Sequence, residues 1–554
     1  MKIETVTIEG FRSIKGPLTI NLGQITALIG ANNVGKSNVI SAIYRVLGRD
    51  WVTVNTFDED DVFNNNFDQD ITIDIVFSEP FKYEQFKGFH IDIPKIRFNY
   101  TRYKVGEFSG KRRLEKQCLK LDNKPVYKYK IKPQKGKQAE FEVFTSIPQD
   151  IQENIPVIYI GIDRSLKSQL PNSRNSLLGT LLTDINTDFQ REDNYIKGKD
   201  KEGNDIEVSR KERFKQCITS AMAALKTHDL IDLENSIRKN ALHQLGFDPD
   251  TEADKLDIQF APFTSLDFYK SLELFVIENG FKINATELGG GFQNAIVISI
   301  IKAFEERRKQ GAIFLIEEPE MFLHPQMQRS LYKTIRNIGE TNQVIYITHS
   351  PHFVTIPEFD EIRIITKTKD GTQFVQSSLK AEDKLKEKFR KELDPERNEF
   401  FFAKKVLIVE GDTEKLAIPE YAKRLNVDID KIGVTIIEVG GKRNIVDFVD
   451  LANSLQISVG FIYDVDSSDF KDKRNEEIDY NLMLDNYSDK GVSVWQFDKN
   501  YESALQKEYG DLNYQKYCNK YGGYSKVIRA RLFASDMEIP IPNFITPIIE
   551  WFSK

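Results

Sequence analysis

Alternation of apolar and polar residues dominates the start of the chain. Ile3-Glu4-Thr5-Val6-Thr7-Ile8 and Leu18-Thr19-Ile20-Asn21-Leu22 place apolar side chains at every second position, the pattern of half-buried strands. Ile25-Thr26-Ala27-Leu28-Ile29 is a short apolar strand running straight into a glycine-containing loop, and Ser37 to Leu47 repeats as an amphipathic helix. Ile71 to Phe77 is a further strand, so residues 1 to 160 read as strands around one early helix. Between about 166 and 265 the period shifts toward 3.6. Leu177–Leu182 and Ile218–Leu225 read as helices there, with few strand signals. Strand-like residues return at Leu272–Ile277. Lys380–Arg397 is dense in charge of both signs and lacks a strong apolar stripe, which predicts an exposed helix or linker. The last 150 or so residues restart as βαβ, with strands at Val406–Val409, Val434–Val439 and Val459–Tyr463.

Composition narrows the classes. The 554 residues exceed one domain, and 40% hydrophobic and 29% charged residues suit packed cores in a water-exposed chain. Cys118, Cys217 and Cys518 lie far apart, which predicts neither a disulfide framework nor a zinc knuckle and points to a reduced cytoplasm. No signal-peptide pattern and no apolar run near eighteen residues is present, so no membrane partner is expected. The formal net charge of -7 argues against a general nucleic-acid coat but not against local basic patches. One such patch is Lys124 to Lys137 with Tyr127 and Tyr129, which reads either as a solvated hairpin or as a phosphate-tracking surface.

Gly30-Ala31-Asn32-Asn33-Val34-Gly35-Lys36-Ser37 fits G-x-x-x-x-G-K-[ST] between a strand and a helix. Backbone N–H groups of such a loop wrap phosphates, with Gly30 and Gly35 permitting the path past Asn32 and Asn33. Lys36 would neutralise the β/γ-phosphates of ATP, and Ser37 would ligate Mg²⁺. Ala312–Ile316 is an apolar strand ending in Glu317-Glu318-Pro319-Glu320, where Glu317 would hold the magnesium shell and Glu318 would polarise the attacking water. Roughly 280 residues separate Lys36 from Glu317, so an insertion must split this core. Gly289-Gly290-Gly291 ahead of the helix from Ala295 makes a further anion cradle, and Val344–Ile347 leads to Thr348-His349-Ser350.

A second constellation is acidic. Glu410 ends an apolar strand, Gly411 permits a tight exit, and Glu414 lies one helical turn on. Asp464 and Asp466 end another apolar strand on one side of an extended chain. Carboxylates gathered at the carboxyl edge of a parallel sheet need a cation, and hard oxygen ligands favour Mg²⁺ or Mn²⁺. Such ions serve phosphodiester chemistry.

The order of P-loop, glycine signature, Glu-Glu-Pro-Glu and Thr-His-Ser resembles the ATP-binding-cassette (ABC) group that includes the structural-maintenance and RecF-like proteins, as does Phe11-Arg12-Ser13-Ile14 after the first strand. The resemblance implies that Gly289–Gly291 complete the ATP site of a second protomer, that His349 touches the γ-phosphate, and that Arg12 lies near the nucleotide. Position 317 is Glu where most of this group has Asp, which leaves open whether Glu317 or Glu318 is the base. Glu410-Gly411-Asp412-Thr413-Glu414, Gly440-Gly441-Lys442 and Asp464-Val465-Asp466 resemble a Toprim domain. The chain lacks room for topoisomerase strand-passage domains, and its three scattered cysteines cannot build the zinc modules usual in primases and recombination mediators.

An ABC-type ATPase followed by a C-terminal Toprim resembles the OLD (overcoming lysogenization defect) family of nucleases, whose junction signature is matched by Phe400–Lys405 leading into Val409–Glu414. That resemblance implies metal-dependent cleavage of DNA in bacterial defence against phage. It adds Glu502 as a later acidic ligand and Lys526 as a lysine offsetting charge on the cleaved phosphate. The expected fold is α/β: a split ABC-type ATPase at 1–165 and 271–370, a helical, dimerising insertion at 166–270, a linker at 371–403 and a Toprim domain at 404–554. The expected assembly is a cytoplasmic homodimer or larger homo-oligomer, with a genetically linked helicase or reverse transcriptase as a further candidate partner. The rival readings are a RecF-like repair ATPase with a vestigial Toprim, and an ATP-gated DNA clamp.

Overall fold

The computed structural model describes Met1–Lys554 except residues 49, 67, 134–137, 162–165, 174–175, 192–194, 200–204, 259–262, 279, 308–310, 370, 381, 391–395 and 466–479. The chain divides into two compact units, one formed by Met1–Ile162 with Gln310–Lys554 and the other by Asp163–Lys309.

Among the described residues three large sheets, and a short hairpin pairing Tyr127–Tyr129 with Phe141–Val143, build the first unit. The alternating N-terminal strands form an antiparallel sheet in the order Leu18–Asn21, Ile3–Glu9, Ile71–Phe86, Phe89–Arg102, Arg112–Leu119. Their apolar positions, among them Val6, Ile8, Ile73, Ile75, Ile96 and Phe98, fill one core. A six-stranded sheet runs Gly371–Gln376, Ile362–Thr368, Ile25–Ile29, Gln343–Ile347, Ile313–Glu317, Val157–Ile160. It is parallel apart from the edge strand Gly371–Gln376. Every residue of Ile25–Ile29, Ile313–Glu317 and Gln343–Ile347 is buried, which is why these strands are apolar runs rather than alternating ones. The helix Lys36–Leu47 adds Val39, Ile40, Ile43, Val46 and Leu47, a stripe at helical spacing.

The third sheet is parallel, in the order Val434–Glu438, Lys405–Val409, Ser458–Asp464, Ser493–Phe497. Helices Asp412–Arg424 and Lys442–Ser454 follow its first two strands in sequence. Helices Tyr501–Tyr509, Lys526–Ser535 and Thr546–Ser553 build a core around Ile418, Tyr421, Phe533 and Phe552.

The charged stretch read as an exposed helix or linker is anchored. Asp383–Arg390 is a helix whose Phe389 is buried between Phe359 and Phe448, with ring centroids 6.2 and 5.3 Å away. Following it, the turn Arg397–Phe402 buries Asn398, Phe400 and Phe401.

The second unit carries helices Leu177–Phe189, Arg210–Leu225, His228–Gln244, Ser265–Lys270 and Gly290–Arg307. It also contains strands where helices were expected: a hairpin pairs Tyr195–Lys199 with Asp205–Ser209. Ile206 and Val208 alternate with acids there, a period of two too short to stand out among the flanking helices. A second hairpin pairs Phe275–Glu278 with Phe281–Asn284. The helix Arg210–Leu225 buries none of its residues and His228–Gln244 only Leu242. Among the described residues no helix is long and apolar enough to cross a membrane.

Candidate nucleotide and metal sites

The strand Ile25–Ile29 delivers the glycine loop to the helix Lys36–Leu47. Gly30 and Gly35 sit at φ 141 and 104°, where side chains are strained. A Cβ on Gly30 would lie 2.2 Å from the Ile365 carbonyl oxygen, and one on Gly35 would lie 2.5 Å from both Ser13 Oγ and Thr372 Oγ1. Asn33 takes φ 63°, and Asn32 and Asn33 are exposed on the loop. Lys36 Nζ curls back and donates to the carbonyls of Gly30 at 3.0 Å and Ala31 at 2.8 Å. Burial lowers its pKa, while Glu318 and Glu320 act in the opposite sense.

Three strand ends meet around this lysine. Ser37 Oγ donates to Glu317 Oε2 at 3.4 Å, joining the two groups expected to share magnesium. Glu318 has φ 45°, a strained value for a side-chain-bearing residue, and its N–H donates to the Ile347 carbonyl at 2.8 Å. His349 has its pKa lowered by burial and by Lys36, with Glu318 opposing, which favours the neutral imidazole. Lys36, Ser37, Glu317, Glu318 and His349 therefore form one cluster. Arg12 is at φ 51°, and its Nε donates to Asp61 Oδ1 at 2.9 Å.

Two participants carried no sequence signal of their role. Glu320 Oε1 accepts from Thr348 Oγ1 at 3.0 Å and from the His349 N–H at 2.6 Å, while its Oε2 is buried without a hydrogen-bond partner among the described residues. Burial raises its pKa. Tyr159, in a separate strand, stacks on Tyr44 at 4.8 Å and has its hydroxyl pushed up to about 12 by burial, with Glu317 contributing. Gly289–Gly291 lie in the other unit, where Gly290 opens the helix Gly290–Arg307 and Gly289 has open space around its Cβ position.

The acidic constellation assembles at the carboxyl edge of the four-stranded sheet. Glu410 leaves the strand Lys405–Val409, and its Oε1 accepts from the Asp464 N–H at 2.6 Å. Glu414, in the first turn of Asp412–Arg424, is buried. Its carboxyl is pushed up to about 7, first by burial and then by Glu502 and Glu410, with Lys526 opposing. Glu502 lies in the first turn of the helix Tyr501–Tyr509, and its Oε2 pairs with Lys526 Nζ at 2.9 Å. Lys526 heads the helix Lys526–Ser535, and Glu502, Glu414 and Asp464 raise its pKa against burial. Glu410, Glu414, Asp464, Glu502 and Lys526 are thus brought together, and Asp466 lies outside the described residues. Lys442 has no role in the sequence reading, yet it is buried and its Nζ donates to the Asp464 carbonyl at 3.0 Å and to Asn481 Oδ1 at 3.2 Å.

Among the described residues no group of three or more His, Cys, Asp or Glu side chains is arranged as a ready cation cage. Two observations nevertheless fit these oxygens to a hard cation. Glu502 Oε1 is buried with no hydrogen-bond partner among the described residues, and burial, reinforced by the neighbouring acids Glu502 and Glu410, holds the Glu414 carboxyl toward its neutral form.

A family model described as AAA ATPase domain matches residues 1–354. A second, described as the TOPRIM domain of overcoming lysogenization defect protein-like chains, matches residues 401–466. The chain belongs to the AAA ATPase domain family and carries an OLD-like Toprim domain. The OLD nuclease of Thermus scotoductus is 29% identical over 486 residues, covering 86% of this chain and 84% of that one. The Old nuclease of Escherichia phage P2 is 22% identical over 498 residues, covering 84% and 77%. Endonuclease GajA of Bacillus cereus is 26% identical over 271 residues, covering 43% and 39%. The ATPase-family match contains the P-loop, Glu317, Glu318, His349 and the whole second unit. The OLD-like Toprim match contains Glu410, Glu414 and Asp464, while Glu502 and Lys526 lie beyond it, in the helices that close the same site.

Proposed function

We propose that this OLD-type chain is an ATP-binding endonuclease that hydrolyses phosphodiester bonds of DNA with Mg²⁺ or Mn²⁺, in bacterial defence against phage. The observation that supports this reading most is that Glu410 accepts the Asp464 N–H and, with Glu502, adds to the burial that raises the Glu414 pKa, while Glu502 Oε1 is buried with no hydrogen-bond partner among the described residues. Relatives named as nucleases support a nucleic-acid substrate.

Glu410, Glu414, Asp464 and Glu502 would hold the cation, with Asp466 as a further acid on the same strand end. When bound, it supplies an activated water and neutralises charge on the cleaved phosphate. The chain's own groups do the rest. Lys442 fixes the backbone at Asp464, and the Asp464 N–H fixes the Glu410 carboxylate, so two ligands are oriented by each other's elements. Lys526 pairs with Glu502 and would exchange that carboxylate for a phosphate oxygen of the substrate. Glu414 must release its proton before it can act as a ligand.

At the other site Lys36 and the loop from Gly30 to Gly35 would hold the ATP phosphates, and Ser37 and Glu317, already joined by a hydrogen bond, would take its magnesium. Glu318 would orient the attacking water, and His349, held toward its neutral form by burial, would face the γ-phosphate. Arg12 lines the approach, and Gly289–Gly291 serve the site of a second copy, which makes the working form a homodimer or larger. ATP regulates cleavage rather than driving it, because hydrolysis of a phosphodiester needs only water and metal. The chain works in the cytoplasm, with a helicase or reverse transcriptase encoded beside it as a candidate partner.

The decisive experiment incubates supercoiled plasmid with the protein and Mg²⁺ or Mn²⁺, with and without ATP. Nicking or linearisation is expected in wild type and its loss in Glu410→Ala, which should still bind ATP. No cleavage under any divalent metal would move the DNA-clamp reading ahead.

A further inference from the structure

A continuous set of polar contacts joins the end of the nucleotide-binding sheet to the metal-bearing loop of the Toprim sheet. It begins at Glu320, whose carboxylate holds Thr348 Oγ1 and the His349 N–H. Two residues on, the Pro351 carbonyl accepts from Asn398 Nδ2 at 3.0 Å, and Asn398 is buried. The neighbouring Arg397 donates to Glu438 Oε2 at 2.7 Å, with both side chains largely covered. Glu438 ends the strand Val434–Glu438, and its Oε1 accepts the Gly440 N–H at 2.5 Å. The Gly441 N–H then donates to the Glu410 carbonyl at 3.0 Å. Gly440 and Gly441 take φ 70 and 121° between strand and helix, and these bonds help set the corner together with the Val439 N–H on the Val409 carbonyl at 3.1 Å and the Asn444 N–H on the Gly441 carbonyl at 3.0 Å.

The turn that carries Arg397 and Asn398 is wedged in place. Phe400 and Phe401 are buried, and Phe400 meets Phe448 on the helix opened by Lys442, with centroids 6.5 Å apart. On the other side of the turn is a cleft of about 300 Å³ lined by His349, Pro351, Glu399, Phe402, Asp430 and Thr435. It leaves the His349–Pro351 loop room to shift while the phenylalanine side stays fixed.

We propose that Asn398 and Arg397 are positioning residues that transmit occupancy of the ATP site to the Glu410 loop. The inference rests on the reading above of His349 as a γ-phosphate contact and Glu410 as a metal ligand. Displacement of the Thr348–Pro351 loop pulls on Asn398. The same turn moves Arg397, and the Arg397–Glu438 pair resets the Gly440–Gly441 corner that holds the Glu410 backbone. Packed junctions of this kind switch between discrete arrangements rather than deforming smoothly.

Amide hydrogen exchange tests this without requiring cleavage. In wild type, a non-hydrolysable ATP analogue with Mg²⁺ should change exchange at Gly440 and Gly441 by about fivefold or more, the size of an ordinary coupling between sites. Asn398→Leu removes the donor to Pro351 and should abolish that response while its affinity for the analogue stays within about twofold of wild type. Arg397→Gln, at a less buried position, should do the same even if Asn398→Leu fails to fold, and Arg397→Lys should restore part of the response. In a cleavage assay, the ratio of rates with and without the analogue should collapse toward one in the two uncoupled variants. An undiminished exchange response in Arg397→Gln overturns the proposal, as does a wild type in which nucleotide leaves Gly440 and Gly441 unchanged. A wild type that cuts nothing but shows the exchange response would remove the nuclease reading and leave the coupling standing.

Discussion

Lowering the pH from 8 to 6 should weaken divalent-metal binding at the Toprim site about tenfold. The perturbation acts through Glu414, whose carboxyl is pushed up to about 7 by burial first and then by Glu502 and Glu410. A protonated Glu414 is a poor ligand, so binding must displace its proton. At pH 6 about one-tenth of the groups are ionised and at pH 8 about nine-tenths, a difference of about 1.4 kcal/mol in apparent affinity. Stability of the metal-free protein runs the other way. The folded pKa lies above the ordinary 4.5, so the folded state keeps the proton longer, and this stabilisation is present at acid pH and lost as pH rises through about 7. Added metal should therefore raise the melting temperature more at pH 8 than at pH 6. Titration calorimetry with Mn²⁺ at three pH values, without nucleotide and in Lys36→Ala protein, reads the affinity directly. Glu414→Gln should bind more weakly and with no slope across this range. Equal affinities at pH 6 and 8, or the same slope in Glu414→Gln, would refute the reasoning.

Lys36→Ala should lose tight ATP binding in a fluorescent-nucleotide titration, because the loop loses the ammonium that it cups against the Gly30 and Ala31 carbonyls. Phe389→Ala should cost about 3–5 kcal/mol in chemical denaturation, since its ring is buried between two others; a loss below about 0.5 kcal/mol would mean that the charged segment is a free linker after all. Light scattering should give at least twice the 64.0 kDa chain mass, and a monomer that stays monomeric with ATP would remove the case for a composite nucleotide site.

Elements buried on both faces were legible in the sequence, and contacts between distant elements were not. Ile25–Ile29, Ile313–Glu317 and Lys405–Val409 are uninterrupted apolar runs because helices or other layers cover both sides, and that pattern is local. The P-loop and the acids at strand ends were readable for the same reason: residue type and spacing alone define them. Phe389 was not, since one aromatic ring among lysines and glutamates makes no stripe, and its burial depends on Phe359 and Phe448 far along the chain. The grip of Glu320 on Thr348 and His349, the pairing of Arg12 with Asp61 and the clamp of Arg397 on Glu438 are invisible for a similar reason. Each joins groups that are ordinary in the sequence and that only the tertiary fold brings together. The hairpin Tyr195–Lys199 with Asp205–Ser209 was missed because its alternation is brief and lies among longer helical patterns.

The central position of Ile25–Ile29 has a consequence for the birth of the protein. Its parallel neighbours are Gln343–Ile347 and Ile362–Thr368, which leave the ribosome more than 300 residues later. At about 5–20 residues per second, that delay is roughly 15–60 s. Throughout it, the strand that will sit at the middle of the sheet has neither flank, and the loop it carries cannot be held in shape to grip a phosphate. An apolar segment left waiting this long is a natural client for chaperones, and contacts so remote in sequence make for slow folding. Nucleotide therefore has no site on the nascent chain until the second half of synthesis, by which time the intervening unit has already emerged.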